Sequence, residues 1–521
     1  MKSRSKHLDV VHHGMVLLSD GKGRGRPARL ELTKDLLTIQ IIAGAAGGEE
    51  ARISSVEPDT GIRIVKLRKK KDGGLGLSIK GGTDGNQQLP VVISKIFPDM
   101  PAQQSGLLYV GDAIVEVNGQ LLDGKTHDEV VQLLRDAGDE VSLSVRHYTQ
   151  IAPYLNPAVS LRQGKSGSTL DRVYEPNTWK SALKTHSESA AGDRGSRKLS
   201  EGADSKFEDD APDGWKTFAK IPLPMAFITR YLWGTDKIRN NAFEVRAVDG
   251  SSTGIIHCED KKALDQWVKH IQNHITSLNY KSIKMSNKYL HKSEQITYIG
   301  WVSERLPEEH FEDPRQRWEP RFIILKGSEL CIFESPPLNS DDLNRCVSLY
   351  KIYDTAFKII EKGKPGLDKR EHCFWIETCM NATKHYLSTE TTQQFVQFET
   401  AYNRCVYTAV STLQTRTFAC SYEGRPCGLV LDFKQGISLY DIPTKRYAWQ
   451  YRFSDLDSST DDGRIRLRLV FRDERNSSSN GLETKDIDSD EVLSIVYTMH
   501  AFYIAKTIAS DPDYLKTIPL M

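Results

Sequence analysis

Several features that would announce an enzyme, a secreted protein or a membrane protein are scarce in this chain. Its eight cysteines (Cys258, Cys331, Cys346, Cys373, Cys379, Cys405, Cys420 and Cys427) are scattered over 521 residues, and none forms a Cys-x-x-Cys pair. That spacing argues against a zinc centre and for reduced cytosolic thiols. No apolar run approaches the roughly twenty residues of a membrane span. The opening Met1-Lys2-Ser3-Arg4-Ser5-Lys6-His7 lacks the apolar stretch of a secretory leader. A surplus of one charge is missing too: 70 Lys and Arg stand against 69 Asp and Glu. A general nucleic-acid binder would be clearly basic, so no nucleic-acid partner is expected. No catalytic constellation is read, neither a nucleophile elbow, a metal-binding helix nor a carboxylate pair. With that go no cofactor and no metal site. His12-His13 lies in a polar stretch and is expected to be solvated.

What is present is a glycine turn running straight into an alternating strand, Gly73-Gly74-Leu75-Gly76-Leu77-Ser78-Ile79-Lys80-Gly81-Gly82. Glycines let the backbone turn so that successive N–H groups converge on one point, a nest that captures a carboxylate. A strand with a free edge then accepts an extended peptide. Strand runs at 62–67, 77–79, 91–96, 114–117 and 141–145 surround two helical signals. One is short, at Pro101–Ser105. The other starts with Thr126 as N-cap and Glu129 three residues on, a capping box, and has Val130, Val131, Leu133 and Leu134 as its apolar face.

The flanking segments read as incomplete modules. Residues 14–40 form strands with no end, and 215–277 form strands closing on a helix with Leu264, Trp267, Val268, Ile271 and Ile275 on one face. They are most simply two halves of one domain, with the glycine-turn unit inserted in a surface loop. Residues 149–206, rich in Ser, Gly, Asp and Lys, read as a mobile linker. Residues 296–406 repeat the strands-then-helix pattern uninterrupted, with Phe395, Phe398, Tyr402 and Val406 at helical spacing. Residues 410–521 add more strands and a last helix. Asp490 and Glu491 are expected in its first turn, and Val492, Ile495, Val496, Met499, Phe502 and Tyr503 form its stripe.

Two further signals are present. Gly119–Thr126 matches the phosphate-binding P-loop letter for letter, but two leucines occupy its middle and Thr126 is already committed as a helix cap. That reading is rejected. Lys22, Arg24, Arg26 and Arg29 cluster around the first hairpin turn, and Arg68-Lys69-Lys70-Lys71 precedes the glycine turn. Either run is a solvated face or a site for anions.

Arg68, the glycine turn, Gly111-Asp112-x-Ile114-x-x-Val117-Asn118-Gly119 and His127 at a helix start together resemble a PDZ domain. The resemblance implies that the amides of Leu75, Gly76 and Leu77 bind a terminal carboxylate, with strand Ser78-Ile79 adding to the peptide and Arg68 contacting it through water. It implies that His127 reads a Ser or Thr hydroxyl two residues before the end, and that Val131 and Leu134 line the last side chain's pocket. The two flanking modules resemble pleckstrin-homology (PH) domains, in which Lys22, Arg24, Arg26 and Arg29 would meet phosphoinositide headgroups.

The whole order is similar to the syntrophins, and Arg239–Val245, Val248-Asp249-Gly250, Thr253–Ile256 and Tyr451–Ser454 followed by Asp461-Asp462-Gly463 favour the gamma branch. The implied fold class is multidomain and mainly β with α: a first PH half (12–42), a PDZ domain (60–148), a linker (149–206), the second PH half (207–279), a second PH domain (294–409) and a β-rich syntrophin-unique unit (410–521). The resemblance further implies a non-enzymatic cytoplasmic adaptor at the membrane cytoskeleton, with actin binding. Its partners would be dystrophin, utrophin and dystrobrevin, the C-terminal peptides of ion channels and signalling enzymes, and phosphoinositide lipids in the alternative where lipid signalling is primary.

Overall fold

The computed structural model describes residues 10–19, 25–42, 62–70, 74–84, 87–148, 214–231, 241–305, 318–360, 370–379, 383–472, 481–511 and 513–514. The linker expected at 149–206 lies outside them. The first three strands, β1 (His12–Ser19), β2 (Gly25–Leu32) and β3 (Leu36–Ile42), alternate as amphipathic strands must, burying Val16, Leu18, Ala28, Leu30, Leu32, Leu37 and Ile39 on one face.

A separate sheet follows. It contains β4 (Arg63–Arg68), β5 (Leu77–Asp84), β6 (Gln87–Ile96), β7 (Asp112–Val117), β8 (Gln120–Leu121) and β9 (Glu140–His147), in the order β4-β9-β7-β6-β5 with β8 paired to β7. Helices α1 (Pro101–Gln104) and α2 (His127–Asp136) belong to it, and β5 lies at its edge. The chain then returns to the first sheet through β10 (Trp215–Pro222), β11 (Phe227–Tyr231), β12 (Ala242–Arg246) and β13 (Ile256–His257). The completed order is β10-β3-β2-β1-β13-β12-β11, all antiparallel.

One core therefore draws on both sides of the inserted unit. Leu264, Trp267, Val268, Ile271 and Ile275 of helix α3 (Lys261–Asn287) pack onto residues of β1–β3 and β10–β13. Asp260 starts this helix by accepting from the Ala263 amide at 2.7 Å. His12 is not solvated as expected. It stacks on His270 (4.6 Å between ring centres) and meets the edge of Trp267 at 4.5 Å.

The second sheet-and-helix unit comprises β14 (Ile296–Arg305), β15 (Trp318–Lys326), β16 (Glu329–Phe333), β17 (Ser348–Lys351), β18 (Thr355–Ile359), β19 (Cys373–Thr378), β20 (Lys384–Ser388) and α4 (Thr392–Leu413). The third comprises β21 (Thr415–Tyr422), β22 (Arg425–Asp432), β23 (Gly436–Asp441), β24 (Arg446–Tyr451), β25 (Leu456–Asp461), β26 (Arg466–Arg472), β27 (Leu482–Asp488) and α5 (Val492–Ser510). Their orders are β17-β16-β15-β14-β20-β19-β18 and β24-β23-β22-β21-β27-β26-β25. Counted within each unit, all three sheets run fourth-third-second-first-seventh-sixth-fifth. The C-terminal unit, read from sequence only as β-rich, thus repeats the architecture of the two before it.

The units are joined through helices that outrun their expected ends. Helix α3 continues past 279, and α4 crosses the expected boundary at 409/410. The later turns of α3 pack on β14, where Asn287 Nδ2 donates to Ile296 O at 2.8 Å and Asn287 Oδ1 accepts from the Ile296 amide at 2.7 Å. A shared apolar cluster of Met225 and Phe227 with Ile296, Ile299, Trp301, Phe322 and Ile324 seals that joint. The second and third units share one continuous core through α4 and α5. Arg416 reaches across it to Asp354, and donates to Thr498 Oγ1 and Ser494 Oγ, each at 3.1 Å.

Asp490 and Glu491 precede α5 rather than occupying its first turn. With 19 residues and a mean hydropathy of 1.3, this helix is as long and apolar as a membrane span, against the expectation that no such run exists. Its apolarity has another use: Val492, Ile495, Met499, Phe502 and Ala505 are buried in the shared core, although Tyr503 of the expected stripe is exposed.

Candidate functional site

The site lies between the free edge of β5 and helix α2. The glycine turn is closed at its base by reciprocal bonds, Lys70 N to Gly74 O at 3.1 Å and Gly74 N to Lys70 O at 3.3 Å. The carbonyls of Leu75 and Gly76 point inward, accepting from Ala102 N and Phe97 N at 2.9 Å each. Leu77 opens strand β5 opposite Ile96 of β6. Among the described residues, no backbone acceptor is found for the amides of Leu75 and Gly76. Two adjacent unpaired donors beside the open edge of β5 are candidates for an anion site.

Gly76 is obligatory in that turn. Its φ is +75°, and a Cβ there would lie 2.0 Å from Met100 Cβ. Met100 is a residue that sequence reasoning missed, because it contributes bulk from a different loop.

Helix α2 supplies the opposite wall. Its capping box forms as expected: Glu129 N donates to Thr126 Oγ1 at 3.3 Å, and Thr126 N donates to Glu129 Oε2 at 2.7 Å. Thr126 is therefore occupied, and Leu122, in the middle of the P-loop match, is buried in the core of this unit. The Lys69 ammonium donates to Arg135 O at 2.8 Å and to Ala137 O, fixing the other end of the helix beside the turn. Val130 and Leu134 are buried, Val131 is half-buried, and Leu77 and Ile79 pack against the same core.

His127 sits at the first helical position, exposed, with Nδ1 3.1 Å from Gly81 O. A carbonyl only accepts, so this contact places a proton on Nδ1 and leaves the Nε2 lone pair free to accept from a hydroxyl. Arg68 is mostly exposed, and its guanidinium lies 3.9 Å from Glu140. At the start of β7, fully buried Asp112 accepts from Arg63 (2.7 Å), the Tyr109 amide (2.8 Å) and His147 Nδ1 (2.7 Å). Burial pushes its pKa up, but these bonds outweigh that and hold it below the usual carboxylate range. Asp112 of the Gly111-Asp112 motif is thus a structural ion cluster, distant in role from the groove.

The expected lipid cluster is divided. Lys22 and Arg24 lie outside the described residues. Arg26 stacks on the Phe218 ring at 5.4 Å, and Arg29 pairs with Glu31 at 2.9 Å. Gly250–Gly254 matches the spelling of a nucleophile elbow, but it joins β12 to β13. There Ser252 Oγ donates to Glu244 at 2.8 Å, and Thr253 Oγ1 accepts from the Val245 amide at 2.9 Å. Among the described residues no cluster of His, Cys, Asp or Glu could hold a metal ion.

Comparison with known proteins agrees with this architecture. Residues 64–146 match the PDZ domain family, 215–273 a PH domain family, and 411–510 the syntrophin C-terminal PH domain. The last match names the third unit, whose topology repeats the other two. Human gamma-2-syntrophin is 32% identical over 94% of this chain and 90% of its own length. Human gamma-1-syntrophin is 32% identical over 96% and 93%, and human beta-2-syntrophin 27% over 85% and 78%. Among solved structures, the second PDZ domain of Dlg1 from the choanoflagellate Monosiga brevicollis is 33% identical over 17% of this chain and 100% of its own, with a TM-score of 0.16. A PDZ domain set in a PH domain, two further PH domains and end-to-end likeness to these relatives place the chain in the syntrophin family.

Proposed function

We propose that the β5–α2 groove captures free C-termini of the form Ser/Thr-x-apolar, and that the chain tethers their owners to the dystrophin complex. As a syntrophin the protein is a non-enzymatic PDZ/PH adaptor that binds protein partners. The finer reading rests on one observation above all: two unpaired amides, Leu75 and Gly76, leading into Leu77 at the start of an open strand edge. A terminal carboxylate accepts from them, the peptide pairs along Ser78-Ile79, and Val131 and Leu134 border its last side chain. Arg68, exposed at the end of β4 just before the glycine turn, adds a long-range or water-mediated cation. His127 Nε2 accepts from the Ser or Thr hydroxyl.

The partners in this reading are ion channels and signalling enzymes on the PDZ side, and dystrophin, utrophin or dystrobrevin on the body formed by the second and third units. The setting is the cytoplasmic face of the membrane cytoskeleton. Support for the docking half is the continuous core that makes those two units one rigid partner surface. Phosphoinositide binding at the first PH domain is the lesser reading, because Arg26 and Arg29 are already engaged.

The test is a titration of the full chain with a Thr-x-Val peptide as free acid and as C-terminal amide. The free acid binds at micromolar strength and the amide about tenfold or more weaker, since it loses charge-assisted bonds. Equal binding of the two removes the carboxylate site.

A further inference from the structure

The turn after helix α3 touches two other units with consecutive residues. Leu290 enters the apolar cluster shared with β14. Tyr289 turns the other way, and with Met285 packs on Val92 and Ala113 of the PDZ sheet beside Val110 and Tyr148. The Tyr289 hydroxyl donates to Pro90 O at 2.8 Å. Burial and the neighbouring Tyr148 push its pKa up to about 12, so it remains a donor.

Pro90 lies on β6 opposite a break in the β5 ladder. The register shifts between Lys80 and Gly82, where Gly81 (φ +94°) alone stands opposite Pro90 and Val91, so that β6 carries the extra residue of a bulge. The place is tight on both sides. A Cβ at Gly81 would lie 2.2 Å from Pro90 O and 3.4 Å from Tyr289 Oη, and a Cβ at Gly82 would lie 2.5 Å from His127 N. The bulge sends the Gly81 carbonyl to His127 Nδ1. From the inter-domain helix to the groove the contacts run Tyr289, Pro90, Gly81, His127 without a gap.

We propose that Tyr289, outside the PDZ domain, is a positioning residue for peptide recognition: by pinning the β6 bulge at Pro90 against Gly81 it fixes the orientation of His127 and so sets selectivity for a hydroxyl two residues before the peptide's end. The inference rests on the groove function proposed above. It makes ligand choice depend on whether the PDZ domain is seated on α3. By reciprocity, a hydroxyl-bearing peptide favours the seated arrangement over the unseated one. The carboxylate amides lie at the other end of β5 and share none of these contacts, so the two halves of recognition separate.

The experiment uses the full chain and three peptides: Thr-x-Val free acid, Ala-x-Val free acid and Thr-x-Val amide. The protein binds Thr over Ala and acid over amide. In Tyr289→Phe, which keeps the ring and loses only the hydroxyl, the Thr-over-Ala ratio falls by about threefold, while the acid-over-amide ratio is unchanged. Adding Tyr289→Phe to His127→Ala produces no further fall, because both act through one imidazole. A Tyr289→Phe chain with the native Thr-over-Ala ratio overturns the inference and leaves the groove reading intact. So does an additive double variant. Loss of both ratios together marks general disruption of the domain and also overturns it. If the unaltered protein does not distinguish acid from amide, the groove reading itself fails, and this inference with it.

Discussion

The indole Nε1 of Trp301, on the first strand of the second unit, donates to the backbone carbonyl of Met225 in the first unit at 2.7 Å. Both residues are buried, and Met225 holds a left-handed backbone (φ +54°) while its amide donates to Asn279 Oδ1 at 3.2 Å. A non-glycine residue pays of the order of 1–3 kcal/mol for that conformation, so the joint is held from both of its polar ends. Trp301→Phe leaves the Met225 carbonyl buried without this donor and costs about 1–3 kcal/mol. The expected outcome is a lower melting temperature, with limited proteolysis opening the chain between the first and second units.

Gly76→Ala tests the carboxylate site without touching a charge. The new methyl meets Met100 and must adopt a positive φ. The turn shifts, and the amides of Leu75 and Leu77 no longer converge. Affinity for a free-acid peptide falls by about tenfold or more, an expectation drawn from losing charge-assisted bonds. The PDZ sheet itself remains folded by circular dichroism. Unchanged affinity would place the anion site elsewhere.

Acidification weakens this fold before it reaches the range of carboxylates. Burial lowers the pKa of His12, aided by the charges of His270 and His13. It lowers His274, aided by His270 and Lys281. Each histidine then binds protons more readily unfolded than folded, so stability rises with pH up to the unfolded value near 6.5 and is lost as pH drops below it. Asp112 and Glu304, lowered from ordinary carboxylate values, lose their contributions only at still lower pH. The melting temperature is expected to fall between pH 7 and pH 5, and to fall less in His274→Gln. A flat profile in the unaltered protein would contradict this account.

Much of the peptide groove was legible before the structure, because its devices are local. A capping box needs only Thr126 and Glu129, and a tight turn only its glycines. The split of the first domain was legible for a different reason, since neither half could bury its apolar face alone. What escaped were relationships across long stretches of chain. His12 reads as solvated until Trp267 and His270 arrive from α3. Helices α3 and α4 outran their boundaries because each has apolar residues for two units, so nothing in the pattern marks where one ends. The third unit hid its architecture because β24 and β25 are largely exposed and lack the alternation that identifies a half-buried strand.

The return of the chain to its first sheet at Trp215 orders events during synthesis. Strands β1 to β3 leave the ribosome with their apolar face uncovered, and nothing that completes it is made until β10 to β13 and α3 have followed. The PDZ unit, by contrast, is contiguous from Arg63 to His147 and can close while its host is still half made. Its folding brings together the two ends that enter and leave the host, shortening the loop the host must close. A guest domain that matures first acts as a clasp for the one that carries it.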